Sequence, residues 1–101
     1  MHILRLSEKY LDKLVPVVDD YRMFCGFKKC AQDTKAFFTQ LLQEKSATTF
    51  IAVSDEDEVM GFINLYPSFS TLALQRIWIL NDLAISKRYR RMGVAQALIK
   101  K

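Results

Sequence analysis

The stretch from Asn81 to Leu98, NDLAISKRYRRMGVAQAL, holds the residues whose types and spacing can do chemistry. An apolar run ends at Ile85, a basic loop covers Ser86–Met92, and Gly93 opens a helix that carries Val94, Ala97 and Leu98 on one face. Backbone N–H groups at a helix start have no intrahelical acceptor, and the helix dipole favours negative charge there. A turn with successive N–H groups pointing inward makes a nest for phosphate oxygens. Gly93 lets a ligand approach the backbone, Ala95 keeps the helix start narrow, and Arg88, Arg90 and Arg91 supply charge-assisted contacts. The chemistry expected of this segment is therefore the holding of an anionic ligand. It contains neither the G-x-x-x-x-G-K-[ST] phosphate loop nor the G-x-G-x-x-G dinucleotide loop, because Gly93 has no companion glycine.

Gln75, Arg76, Asn81 and Asp82 interrupt the long apolar run Leu72–Ile85. Ile77, Ile79, Leu83 and Ile85 are expected on one face of this strand, with Trp78, Leu80 and Ala84 on the other. A strand apolar on both faces belongs in the middle of a covered sheet. Asn81 and Asp82 conflict with that burial, so a bulge is expected near Asn81–Leu83, or a ligand or catalytic partner that meets these groups.

The upstream elements position this segment. Ile3–Leu6 suits a first strand. Ser7 is placed to cap a helix in which Leu11, Leu14, Val15, Val18 and Tyr21 recur at helical spacing. Pro16 should kink this helix, which ends near Phe24 with Gly26 as its stop signal. Asp33 or Thr34 can cap a second helix with Phe37, Phe38, Leu41 and Leu42 on its apolar face. Thr48–Val53 and Val59–Tyr66 are expected to pair as an antiparallel hairpin across the acidic turn Asp55–Glu58, with Pro67 ending the second strand. Tyr21 and Phe24 are expected to be core residues closing the first helix, although Tyr21–Cys25 is also a second candidate site segment. Trp78, Phe69 and Tyr66 are assigned to the core.

Composition narrows the class. The chain has 101 residues, one small domain spanning 1–101, half of them apolar and about a quarter charged. The net charge of +4 is local: six of the fifteen basic residues lie in 86–101 with no acid, leaving nine against eleven acids before them. A basic segment on an otherwise mildly acidic chain points to a local anionic ligand. No apolar run is long enough for a membrane span, and the charged N-terminus does not suit a signal peptide, so a cytoplasmic location is expected. Cys25 and Cys30 read as reduced thiols, and with His2 the one histidine there is no zinc set and no metal is expected.

The triplet Leu83-Ala84-Ile85, four intervening residues, and Arg90-Arg91-Met92-Gly93-Val94-Ala95 resemble the acetyl-CoA motif of the GNAT family of N-acetyltransferases, [RQ]-x-x-G-x-[GA] after a central strand. The element order strand-helix-helix-strand-strand-strand-helix also resembles the first two-thirds or so of that family's fold. The resemblance implies an α/β (α+β) fold with a mixed sheet, incomplete at the C-terminus. It implies acyl transfer from acetyl-CoA, as cosubstrate, to the amine of a small-molecule or peptide acceptor. The pantetheine arm would lie along Leu83, Ala84 and Ile85 like an added strand, and the pyrophosphate on the N–H groups of Arg91 to Ala95. A strand N–H freed by the bulge would polarise the thioester carbonyl. Asn81 and Asp82 are the nearest candidates for the base, and no acid is assigned. The exposed edge of the central strand is expected to be covered by another chain, either a second copy or a complementing partner. The rival reading is a nucleic-acid-binding module that uses Lys87-Arg88-Tyr89-Arg90-Arg91.

Overall fold

The expected element order is the one observed. The computed structural model describes residues 1–100. Strand β1 (His2–Arg5) leads through a single 3-10 turn at Glu8–Tyr10 into α1 (Leu11–Phe24), followed by α2 (Ala31–Glu44), β2 (Thr48–Val53), β3 (Val59–Ser70), β4 (Gln75–Ile85) and α3 (Val94–Lys100). Ser7 makes no side-chain cap, because its extended backbone feeds the 3-10 turn and not the α-helix itself. Helix α1 runs unbroken through Pro16. It closes as expected at Gly26, whose φ is +92°, with Phe27 N–H donating to Arg22 C=O at 2.8 Å.

Helix α2 begins earlier than expected. Cys30 occupies the cap position, and neither Asp33 nor Thr34 caps the helix. The Thr34 hydroxyl is used elsewhere: it crosses to α1 and donates to Asp19 Oδ1 at 2.5 Å. Asp19 is fully buried, and its Oδ2 has no partner among the described residues. The two helices are thus tied by a buried carboxylate–hydroxyl bond as well as by apolar packing.

The sheet has the order β1-β2-β3-β4 and is antiparallel throughout the described residues. Helices α1 and α2 cover one face, where Leu14, Phe38, Ile51 and Phe62 form the main core. Helix α3 covers the other face, with Val94 and Leu98 packed on Ala52, Met60 and Ile63. Gly61 lets β3 and β4 approach closely, since a Cβ there would lie 2.6 Å from Ile85 Cδ1 and 2.8 Å from the Ala84 carbonyl oxygen.

Three expectations about the β3–β4 hairpin are corrected. Pro67 does not end β3, which continues to Ser70 with Pro67 opposite Trp78. Beyond Leu65 the strand has only β4 as a neighbour, so a missing N–H is tolerated as on an edge. Second, β4 pairs only with β3 among the described residues, and Trp78, Ile79 and Leu80 are 45–50% exposed there. Phe69 is also largely exposed, so neither it nor Trp78 belongs to the core. Third, the faces of β4 are not those of simple alternation. Asp82 pairs with Asn64 and Leu80 with Leu65, which leaves Asn81 as an extra residue. This is a bulge at the place expected for one, and one inserted residue exchanges the faces. Leu80 therefore shares a face with Leu83 and Ile85 above α3, while Ile79, Asp82 and Ala84 share the face toward α1 and α2.

Candidate functional site

The bulge turns Asp82 toward α1. Its Oδ1 accepts from the Tyr21 hydroxyl at 3.2 Å, and its Oδ2 accepts from the Asn81 side-chain amide at 3.2 Å. Burial, followed by the nearby Asp82 charge, pushes the Tyr21 phenol above its ordinary value. Burial and then Asp82 do the same to Tyr66. Both phenols are therefore neutral at neutral pH, and Tyr21 donates to the carboxylate.

Two clefts open on either side of this group. One, of about 380 Å³, is walled by Phe37, Phe38, Phe62 and Tyr66 and contains Asp82 and Asn64. The other, of about 680 Å³, runs between the end of α1 (Met23, Phe24) and β4 with its following loop (Leu83, Ile85, Arg90, Ala95). Tyr21 lines both. It also packs edge-on against Phe62, with ring centroids 5.9 Å apart, so it serves the core as expected while dividing the clefts. Phe24 does not: it is 83% exposed at the rim of the larger cleft, a correction to its core assignment.

The hydrogen-bond phase of β4 fixes what the larger cleft presents. Ser86 N–H donates to Met60 C=O at 2.9 Å, so Ser86 faces β3. In an antiparallel ladder residues alternate between facing the partner and facing away. Ala84 then also faces β3, whereas Leu83 and Ile85 direct N–H and C=O to the open edge. The Ile85 carbonyl accepts there from Arg90 Nε at 3.4 Å.

Past Ile85 the chain turns through Lys87–Tyr89 into α3. Arg91 and Gly93 both have left-handed backbone, φ +64° and +79°. Such residues within a tight turn draw successive N–H groups toward one side. Tyr89 and Arg90 N–H are used inside the turn and Ala97 N–H begins the helix ladder, while Arg91 to Gln96 have no backbone acceptor among the described residues. The turn is anchored from the β2–β3 corner, where Glu58 accepts from the Tyr89 hydroxyl and from Arg88 at 3.2 Å. The Tyr89 phenol is pushed up chiefly by that bond.

The family description for acetyltransferases of the GNAT type matches residues 14–101. The chain belongs to the GNAT family. It is 29% identical over its full length to a "Probable acetyltransferase" of Haemophilus influenzae, covering 69% of that protein. It is 33% identical over 99 residues to "Uncharacterized N-acetyltransferase YhfO" of Bacillus subtilis, covering 66% of it. Among solved structures, a probable acetyltransferase superposes on 99% of this chain with a TM-score of 0.92 at 38% identity, and the chain spans 67% of it. The ribosomal-protein-alanine N-acetyltransferase from Brucella melitensis shares the fold at 20% identity with a TM-score of 0.79. The chain thus spans about two-thirds of the length of these relatives.

Within this GNAT domain the residues singled out in the sequence run from the bulge in β4 to the start of α3. Asn81 and Asp82 lie at the bulge, Leu83–Ile85 along the larger cleft, Arg90 over the Ile85 carbonyl, and Arg91–Ala95 in the turn. Met92 is exposed, whereas Val94 is buried and anchors α3 beneath the turn. Sequence reasoning missed Asn64, Tyr66, Phe37 and Glu58. Asn64 carried a readable signal: it is a polar residue inside the apolar strand Val59–Leu65, the same anomaly that marked Asn81 and Asp82. Among the described residues no cluster of potential metal ligands occurs, and no helix is long and apolar enough to cross a membrane.

Proposed function

We propose that this chain forms the donor-binding part of an N-acetyltransferase that moves the acetyl group of acetyl-CoA to an amine. The observation that carries the reading is that two clefts share Tyr21, whose hydroxyl donates to Asp82 in the smaller one, beside a bulged strand with outward backbone donors and acceptors. The larger cleft suits a pantetheine arm, with Leu83 and Ile85 supplying strand-like hydrogen bonds to its amides. The N–H groups of Arg91 to Ala95 fit the pyrophosphate, and Arg90 flanks the path between them. Acetyl-CoA supplies an activated thioester.

The smaller cleft takes the acceptor. Asp82, held by Tyr21 and Asn81, receives one proton from the ammonium form of the acceptor. Asn81 cannot take a proton at neutral pH and acts by orienting Asp82. The free amine then bonds to the thioester carbon as the C–S bond breaks. The second amine proton ends on the departing CoA thiolate, giving amide, thiol and a protonated carboxylate that returns its proton to solvent.

The basic residues are arranged for this role more than for a nucleic-acid surface. Arg88 is paired with Glu58, and Arg90 points back to Ile85. The test is a calorimetric titration with acetyl-CoA and, separately, with a mixed-sequence oligonucleotide at physiological salt. Acetyl-CoA is expected to bind, and Gly93→Val to weaken it tenfold or more, since losing one charge-assisted N–H contact costs about 1.5–3 kcal/mol. Binding of the oligonucleotide alone, or acetyl-CoA affinity indifferent to Gly93→Val, would overturn the proposal.

A further inference from the structure

The smaller cleft restricts the acceptor more than membership of the family does. Five aromatic side chains line it: Phe37, Phe38, Phe62, Tyr21 and Tyr66. A volume of about 380 Å³ lies at the small end of the range for small-molecule sites. Two acids lie on its lining. Asp82 stands where the cleft meets the β4 groove, with lone pairs left over after its bonds to Tyr21 and Asn81. Asp33 lies elsewhere on the lining.

A third polar group points to a ligand independently of these acids. Asn64 is only 2% exposed, yet it lines this cleft. Its Oδ1 is taken by the Thr49 hydroxyl at 2.5 Å, while its Nδ2 has no acceptor among the described residues. This donor is not sealed in the core, since Asp19 Oδ2 is the one fully buried side-chain polar atom without a partner among the described residues; Nδ2 keeps access to the cleft, and a ligand that covers it must accept from it. The one cation on the lining, Arg22, is engaged elsewhere: its NH1 donates to the Lys28 carbonyl at 3.3 Å, and its guanidinium stacks on Phe27 at 5.6 Å.

We infer that the acceptor is a small primary amine on an aromatic or comparably flat apolar body, with no carboxylate beside the amine. The aromatic walls hold the body, Asp82 receives the ammonium end, and Asn64 donates to a polar substituent or to a water carried with the ligand. A carboxylate next to the amine would sit against the like charge of Asp82, and Arg22 is drawn toward Lys28 and Phe27, which disfavours α-amino acids. A peptide N-terminus would need backbone partners that these walls do not offer.

This inference rests on the transferase reading, and the experiment separates the two. The whole chain, labelled for NMR, is titrated with phenethylamine, phenylalanine, phenethyl alcohol and a tripeptide, and separately with acetyl-CoA. Phenethylamine is expected to shift the Asn64 side-chain amide and the Tyr66 ring. Phenylalanine is expected to bind more weakly than phenethylamine because its carboxylate faces Asp82, and the neutral alcohol about tenfold more weakly or worse, the loss of one ionic hydrogen bond. Asp82→Asn should weaken phenethylamine to a similar degree. The alcohol comparison gives the same information in the unaltered protein if that variant does not fold. Equal or tighter binding of phenylalanine, the alcohol or the peptide overturns the assignment, as does an Asn64 signal unmoved by phenethylamine. A protein that binds acetyl-CoA along Leu83–Ala95 but fails these amine tests loses this inference alone. One that passes them but ignores acetyl-CoA keeps the cleft assignment and loses the transferase reading.

Discussion

Replacing Gly61 by alanine tests the link between packing and the donor groove. The added Cβ would lie 2.6 Å from Ile85 Cδ1, 2.8 Å from the Ala84 carbonyl oxygen and 3.3 Å from Ile85 Cα. The Ile85 methyl can rotate away, but the carbonyl belongs to the backbone of β4. Ordinary contact begins at 3.4 Å, so the strand must retreat by the difference from 2.8 Å, about 0.6 Å at that point. Forcing a methyl into a packed site costs about 1–3 kcal/mol. The lower chain entropy of unfolded alanine returns about 0.4–1 kcal/mol. The net loss of about 1–2 kcal/mol corresponds to a melting temperature lower by roughly 5–15 °C for a chain this size. Since the displaced residues are those facing the groove, acetyl-CoA affinity should fall in the same variant. Thermal unfolding followed by circular dichroism, with and without acetyl-CoA, reads both effects. An unchanged or raised melting temperature would refute the close approach of β3 and β4 at Gly61, and with it the argument that this glycine sets the position of the groove.

Thr34→Val keeps the shape of the side chain but removes the donor to Asp19, leaving a fully buried carboxylate with no partner among the described residues. Chemical denaturation should show a loss of about 3 kcal/mol, and undiminished stability would contradict a structural role for this bond. Glu58→Gln weakens the anchor of the basic turn. It should raise the acetyl-CoA dissociation constant by a factor of about two to five, the range of an exposed ion pair. The same variant has a pH signature. The Tyr89 phenol is held above its ordinary value mainly by donating to Glu58, so the tie is present below the usual tyrosine range and lost as pH rises through the raised value. Ultraviolet titration of Tyr89 should therefore move down in the variant, and an unmoved titration would count against the anchor.

Much of the fold was legible in the sequence because its signals are local. The spacing of Leu11, Leu14, Val15 and Val18 specifies an amphipathic helix without reference to any neighbour. The β-branched run Thr48–Val53 and the acidic corner Asp55–Glu58 specify a hairpin in the same way. The bulge was legible too, since a polar pair in an apolar strand must either break the ladder or find a partner, and at Asn81 and Asp82 it does both. The errors lie where a residue's role depends on what stands next to it. Pro67 reads as a stop, but β3 has lost its second neighbour there and tolerates the missing N–H. Trp78, Ile79 and Leu80 read as core, yet no strand lies beyond β4 among the described residues. Thr34 reads as a cap, but Asp19 on α1 competes for its hydroxyl.

The turn that opens α3 divides the same way. The sequence by itself determined its type: Gly93 after a basic loop makes a turn into a helix start with free N–H groups, because these and the left-handed glycine belong to the backbone alone. Only the tertiary structure decided what that turn works with. The bulge exchanges the faces of β4, which brings Asp82 to Tyr21 and sets Leu83 and Ile85 above α3. The pairing of β3 with β4 puts Asn64 opposite Asp82, and the α1–α2 pair closes aromatic walls around both. The Tyr21–Asp82 bond joins residues 61 positions apart in sequence, and no local pattern of side chains encodes which distant partner a strand edge or helix end will meet.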